Sequence, residues 1–467
     1  MSGRRGIGAL SRTAKDGILG ALRTGPKSDA PARPDTASGG QALRAKPKRG
    51  DRFADLAELK DLKTQQAVAD LLGVPNPFFR LHDGIAGATT HIDGRTDINF
   101  ASYNYLGLNG HPEVSARAKA AIDHYGVSVS ASRVVAGERP IHRELEARIA
   151  KYYGVEAAVA FVSGHATNVA AIGHLMRPKD LIVYDSLAHN SIVVGANLSG
   201  ATRRMFPHND IDALEEILIK HAHDHDRVLV AVEGLYSMDG DFPDLKRIVR
   251  LRERYGFWLM VDEAHSLGVL GDTGGGIAQE CGVDPLDIDI WMGTLSKTLS
   301  GCGGFIAGSG SLVEFLKFTA PGFVYSVGMP PAVAAAAIGC FDLLEREPER
   351  VAKLRANGER FVAKARELGL DVGDATGRAI VPVMVGDSLR AVHLSNKLLE
   401  RGVNALPIVH PAVPERSARI RFFITSDHSF EQIDEAVTVT AEEHAALAKA
   451  GFGIKMVATL AKATRSS

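Results

Sequence analysis

FWLMVDEAH, residues 257–265, is an unbroken apolar run that stops abruptly at two acids and, one residue later, a histidine. A run with no polar face suits a strand covered on both sides. The same design recurs in AAVAFV (157–162), DLIVYD (180–185), RVLVAVEG (227–234), DIWMGTLS (289–296) and GGFIAG (303–308). Between most of these lie longer stretches of helical period, such as HRELEARIAKYYG, IDALEEILIKHAHD and PDLKRIVRLRERYG. This alternation predicts an α/β fold with a mainly parallel central sheet and helices on both faces. In such sheets ligands bind beyond the carboxyl ends of the strands, so the chemistry is expected just after each run.

The residues at those ends fit that expectation. FVSGHATN places Gly164 and His165 at a helix start, whose unpaired N–H groups suit a phosphate. DSLAHNS places His189 after a strand, VEGLYSMDGD places Ser237, and VDEAHS places Asp262 and His265. GTLSK places Thr294 and Lys297, the lysine lying among hydroxyl residues just ahead of a glycine cluster. Singly, each has a bland reading: a helix cap, a packed or surface histidine, a solvated lysine. Together, at successive ends of one sheet, they point to one site.

The chain has 467 residues, 45% hydrophobic and 23% charged, the balance of a soluble globular protein with room for more than one domain. The weakly polar run Val327–Phe341 is too short for a membrane span and contains prolines. Cys281, Cys302 and Cys340 show neither a disulfide framework nor zinc spacing, so a reducing, cytoplasmic setting is expected. Net charge is −1, but residues 1–50 carry 11 Lys/Arg against 3 Asp, which leaves the remainder at −9. A body of that sign argues against nucleic-acid binding.

Residues 1–50 read as a basic N-terminal segment. Ile7, Leu10, Ala14, Ile18 and Leu22 form a helical stripe, and residues 24–50 form a Pro/Gly/Ser-rich linker. Peripheral membrane contact, a cleaved targeting segment and a disordered tail all remain open for it. Residues 51–97 are expected to form a helical arm and 98–334 the large domain, with 335–467 a smaller α+β domain containing AIVPVMVGD (379–387) and SARIRFFIT (417–425). HAHDHD (221–226) invites a metal reading but offers only solvated aspartates as company, and GDTGGG (271–276) has the wrong spacing for a dinucleotide loop. No metal is expected, and Cys302 is read as a packing residue.

SGHATN, DSLAHNS, EGLYSMDGD, VDEAHSLGVLG and GTLSK, with SYNYLGL (102–108) and ASR…GERPIHRELE (131–146), resemble in order and spacing the motifs of the α-oxoamine synthases. These are fold-type-I pyridoxal-phosphate enzymes, and the likeness runs from Asn99 to Asp427, about 70% of the chain. The resemblance implies that Lys297 carries the cofactor as an imine and then acts as base at the substrate Cα. It implies Asp262 at the pyridine nitrogen, His189 stacked on the ring, and Ser237 and His265 at the phenolic oxygen. Gly164, His165 and Thr294 would hold the phosphate. The implied reaction is a decarboxylating condensation of an amino acid with an acyl-CoA or acyl-carrier-protein thioester, in a homodimer whose site lies at the subunit interface.

Among the branches, SYNYLGL is similar to the opening segment of serine palmitoyltransferases, which places L-serine first and puts Asn104 at the substrate. Glycine- or alanine-using branches, and a carrier-linked pathway synthase, are the alternatives. Two departures stand out. In LPIVHPAVPERSARIRF, Val409 or His410 stands where several members carry a carboxylate-binding arginine, so Arg421 is the candidate. In YSVGMPP (325–331), only Ser326 remains of the hydroxyls that would reach a neighbouring subunit's phosphate.

Overall fold

The computed structural model describes residues 53–414 and 416–453. The amphipathic stretch at 6–23 and the linker at 24–50 lie outside them. After the helix Ala57–Leu71 comes a hairpin of β1 (Thr89–Ile92) and β2 (Arg95–Asn99). The segment 51–97, expected to be helical, is therefore helical only in its first part. TTHI alternates exposed and buried residues, the period of a half-covered strand, and RTDIN buries Asp97 and Asn99 on one face.

The apolar runs form one seven-stranded sheet: β3 (Ala157–Phe161), β4 (Leu181–Asp185), β5 (Thr202–Phe206), β6 (Val228–Glu233), β7 (Trp258–Asp262), β8 (Ile290–Thr294) and β9 (Gly304–Gly308). Their order is β3-β9-β8-β7-β6-β4-β5. β9 is antiparallel to both of its neighbours and the other pairings are parallel, so the sheet is mixed but mainly parallel. Every residue of β6, β8 and β9 is buried, as helices on both faces require. β5, TRRMF, escaped the sequence reading because it is an edge strand whose arginines face solvent.

Covering helices begin and end where the sequence punctuates them. Ser163 caps Gly164–Leu175 by accepting from Ala166 N, and Asp244 caps Leu245–Tyr255 by accepting from Arg247 N. His189 itself caps Asn190–Ser199, which fixes its ring at the end of β4.

A second, three-stranded sheet has the order β10 (Ile380–Gly386), β13 (Ala418–Phe423), β12 (Leu406–Ile408), all antiparallel. Short β11 (Val403–Asn404) pairs with β2 instead, tying the N-terminal hairpin to the C-terminal region. The helix Pro331–Arg346 runs across the boundary expected at 334/335 and packs against helices Pro112–Tyr125 and Pro140–Tyr153. Among the described residues no helix is long and apolar enough to cross a membrane, and no His/Cys/Asp/Glu cluster is arranged to hold a metal.

Candidate active site

β8 ends at Thr294 and the chain returns as β9 through a short loop closed by Leu295 N to Gly303 O (2.9 Å) and Gly301 N to Leu295 O (2.7 Å). Lys297 rides on this loop, beside a cavity of about 420 Å³ that His82, Thr90, Tyr103, Asn104 and Ser296 also line. The glycines after the lysine have a packing reason. A Cβ on Gly304 would lie 2.7 Å from Gly164 Cα, and one on Gly164 would lie 2.6 Å from Thr294 Oγ1. Only bare backbone lets the start of β9 pass against the helix that Gly164 opens.

The Lys297 amine lies 5.5 Å from the centre of the Tyr103 ring. Burial pushes it down to about 8, with Asp262 and Glu233 opposing and Arg421 adding to the fall. About a tenth of the amine is therefore unprotonated at pH 7, far more than for an ordinary lysine, as a nucleophile or base needs.

Asp262, at the end of β7, is buried and has both oxygens engaged by neutral donors: Oδ2 by Asn168 Nδ2 (2.8 Å) and Oδ1 by the amide of Ala264 (2.9 Å). The same Asn168 Nδ2 donates to Ser191 Oγ (2.9 Å), which meets His189 Nδ1 at 2.7 Å. Asp262, Asn168, Ser191 and His189 thus form one chain across three elements. Burial holds the His189 imidazole below its ordinary range. His189 N donates to Glu233 Oε1 at 2.6 Å, and burial followed by Asp262 raises Glu233 well above the usual carboxylate range.

His265 is buried, and burial followed by the Lys297 charge drives its imidazole well below the ordinary value. The Tyr105 hydroxyl meets its Nδ1 at 2.7 Å. With the phenol donating, Nε2 carries the ring proton and can donate to an anionic oxygen. Tyr103 and Phe423 form an aromatic wall beside it, with centroids 4.8 Å apart.

Arg421 enters from β13. Its guanidinium lies over the Phe423 ring at 4.6 Å and NH1 donates to Ser237 O at 3.0 Å, while Nε is buried without a partner. Burial lowers its pKa; Lys297 and His265 both feel its charge. Val409 is a buried apolar residue, and neither it nor His410 supplies a permanent cation.

The structure brings together Gly164, His165, His189, Ser237, Asp262, His265, Thr294, Lys297 and Arg421. Thr294 Oγ1 is engaged by Gly303 O at 2.9 Å and Ser296 Oγ at 2.8 Å. Asn104 lines the cavity, but its amide is spent on backbone, donating to Ala86 O (2.9 Å) and accepting from Asn109 N (3.0 Å). Ser326 does not join them within one chain. It lines a separate small cavity with Arg133, Phe161 and Val327. Sequence reading missed Asn168, Ser191, Glu233 and Tyr105. They lie inside or beside the strand-end motifs, and only their contacts mark them.

These residues fit pyridoxal phosphate. A buried carboxylate bonded only to neutral donors suits a cationic ring nitrogen, and the helix start at Gly164, too tight for a Cβ, suits a phosphate.

Comparison with known proteins agrees. Residues 95–439 match the family model described as aminotransferase class I and II. The chain is 38% identical over 361 residues to 8-amino-7-oxononanoate synthase of Bacillus pumilus, covering 77% of this chain and 91% of that one. It is 37% identical over 345 residues to the 4-hydroxy-2,2'-bipyrrole-5-methanol synthase of a Serratia strain, covering 74% of this chain and 52% of that longer one. Its fold is similar to the Sphingomonas wittichii serine palmitoyltransferase, with TM-score 0.80 and 30% identity over 85% of this chain and 99% of that one. The 8-amino-7-oxononanoate synthase of Francisella tularensis superposes with TM-score 0.65 and 25% identity over 74% and 97%. Motif order, a buried lysine that feels the buried Asp262 carboxylate, and these likenesses converge: the chain belongs to the α-oxoamine synthases, fold-type-I acyltransferases that use pyridoxal phosphate.

Proposed function

We propose that this synthase condenses a small amino acid, L-alanine first, with an acyl thioester to give an α-amino ketone of the 8-amino-7-oxononanoate type. In a product of that name the amine neighbours the ketone and a methyl group. Decarboxylated alanine supplies the amine-bearing end, and a dicarboxylic acyl group supplies the rest. The observation that supports an amino-acid substrate is a buried amine, Lys297, close enough to the buried Arg421 guanidinium to feel its charge, so that a Cα and its carboxylate have a base and a cation near each other. Alanine is favoured because the curated relatives 36–40% identical to this chain include many 8-amino-7-oxononanoate synthases.

Pyridoxal phosphate, when bound, supplies an aldehyde for the amine and a ring that accepts the electron pair left at Cα. Lys297 takes the Cα proton. Asp262 holds a proton at the ring nitrogen, and Asn168 keeps that carboxylate oriented. His189 presents a flat face, held by Ser191. His265 Nε2 and Ser237 donate toward the phenolic oxygen, while Gly164, His165 and Thr294 receive the phosphate. Arg421 binds the amino-acid carboxylate, in place of the cation lacking at Val409 and His410. We further propose a homodimer in which the exposed Ser326 loop meets the partner's phosphate side.

The second reading, L-serine with a long acyl thioester, is favoured by the higher structural likeness to serine palmitoyltransferases and by SYNYLGL. Spectral titration of the holoenzyme with L-alanine, L-serine and glycine, then single turnover with dicarboxylic and long-chain acyl thioesters, separates the two. Tight binding of serine and turnover only with long chains sinks the alanine reading. Arg421→Ala is expected to raise the amino-acid KM at least about tenfold, the loss of a charged hydrogen bond, with little change in cofactor binding.

A further inference from the structure

His208 has no part in the reaction just described, yet both of its ring nitrogens are committed. Nδ1 lies 2.9 Å from Asp185 Oδ1 and Nε2 lies 2.9 Å from Asp241 Oδ2. A neutral imidazole donates from one nitrogen only, so carboxylates on both require the doubly protonated ring. Burial opposes that charge, but the two carboxylates together push the group up to about 10. Asn209 reinforces the bridge, donating from its backbone to Asp185 Oδ2 (2.9 Å) and from Nδ2 to Asp241 Oδ2 (2.7 Å). The Tyr236 ring closes it edge-on at 4.5 Å.

The bridge holds a turn that carries site residues. Tyr236 N donates to Asp241 O (2.8 Å) and Gly240 N to Tyr236 O (2.9 Å), closing a loop around Ser237, Met238 and Asp239. β13 grips the other side of that loop: Arg421 NH1 on Ser237 O, and Arg419 NH1 on Met238 O (3.0 Å) and on the Asp239 carboxylate. The loop is therefore clamped between the large sheet, through His208, and the small sheet, through two arginines.

We propose that His208 is a positioning residue for the condensation: its bridge from Asp185 to Asp241 fixes the Tyr236–Asp241 turn, and so sets where Ser237 meets the cofactor and Arg421 meets the amino acid. The proposal rests on the α-oxoamine reading of this pocket. Its test uses the holoenzyme and His208→Gln, whose amide serves one carboxylate and leaves the pair uncompensated. Two constants are measured: cofactor dissociation, from absorbance after equilibrium dialysis, and amino-acid dissociation, from spectral titration with alanine, serine and glycine.

Both are expected to weaken at least about fivefold, roughly the worth of one ordinary hydrogen bond. Ile248→Ala, a core truncation on helix Leu245–Tyr255 and outside the Tyr236–Asp241 turn, sets the baseline for plain destabilisation. If either constant stays within that factor of wild type, His208 is structural only and the proposal is overturned. Should His208→Gln not fold, Asp241→Asn removes one charge while keeping the side chain's size, and is judged by the same threshold. A wild-type protein that binds none of the three amino acids refutes the substrate reading, while the cofactor constant still decides the role of His208.

Discussion

At the scale of single residues, the site depends on charges kept out of water. Lys297 is an amine whose protonated form burial disfavours, so its folded pKa is depressed to about 8. Only the unprotonated amine attacks an aldehyde. The rate at which apoprotein captures pyridoxal phosphate is therefore expected to rise with pH through about 8 and then level off, followed by absorbance in stopped flow. A rise centred near the ordinary lysine value contradicts the burial argument. Lys297→Ala is expected to abolish borohydride-trapped cofactor. Asp262 and Asn168 separate by magnitude. Asp262→Ala is expected to cost on the order of 10²-fold or more in kcat, as loss of a proton-holding group does. Asn168→Ala removes one hydrogen bond to a carboxylate and is expected to cost about tenfold. Equal losses would show that Asn168 has a role of its own.

At the scale of elements, His189, Ser237, Asp262, Thr294 and Lys297 stand where a strand stops and a helix or tight loop begins, whereas Arg421 lies within β13. The fit between the Gly164 helix and the β8–β9 loop is close. Gly164→Ala places a methyl 2.6 Å from Thr294 Oγ1 and 3.1 Å from Thr294 Cβ, so Thr294 must turn away. Overpacking of this kind costs about 1–3 kcal/mol. The variant is expected to lose cofactor affinity more than thermal stability, because the displaced hydroxyl is one of the groups proposed to receive the phosphate. Dialysis against buffer, with retained cofactor read by absorbance, checks this; full retention refutes the phosphate assignment. The buried strands behind these positions were legible as apolar runs. β5 was not, because an edge strand has no need of one, and β1 and β2 were not, because short half-exposed strands resemble loops.

At the scale of the whole molecule, the joint between the two sheets passes through the Tyr236–Asp241 turn. Gly240 has φ +71°, and its carbonyl accepts from Thr376 N (3.1 Å) and Thr376 Oγ1 (2.8 Å). A Cβ there would lie 2.1 Å from Ile380 O, backbone that cannot swing aside. Gly240→Ala is expected to destabilise by about 3 kcal/mol or more, strain and steric displacement together. It should also loosen Arg421 from Ser237, seen as a raised amino-acid KM in whatever fraction folds. Denaturant titration that finds wild-type stability refutes the joint. His208 adds a pH term in the opposite sense to Lys297 capture. Its folded pKa is raised, so its stabilisation is complete below about pH 6.5 and is lost as pH rises toward 10. Asp185, Asp241, Asn209 and Tyr236 are the groups that face it.

By itself the sequence determined the mainly parallel sheet and pointed to its carboxyl end, because buried strands must be apolar and the residues just beyond them need not be; the roles of Lys297, Asp262, His189 and His265 rested on the family resemblance. Two matters needed the tertiary structure. Arg421 could be told from a surface strand residue only once β13 folded it over Phe423 and onto Ser237 O, a contact between positions far apart in the chain. The chain from Asp262 through Asn168 and Ser191 to His189, and the His208 bridge, likewise join residues from separate elements. Local pattern reports burial and period, whereas a hydrogen bond between distant residues exists only when packing sets their separation to within a few tenths of an ångström.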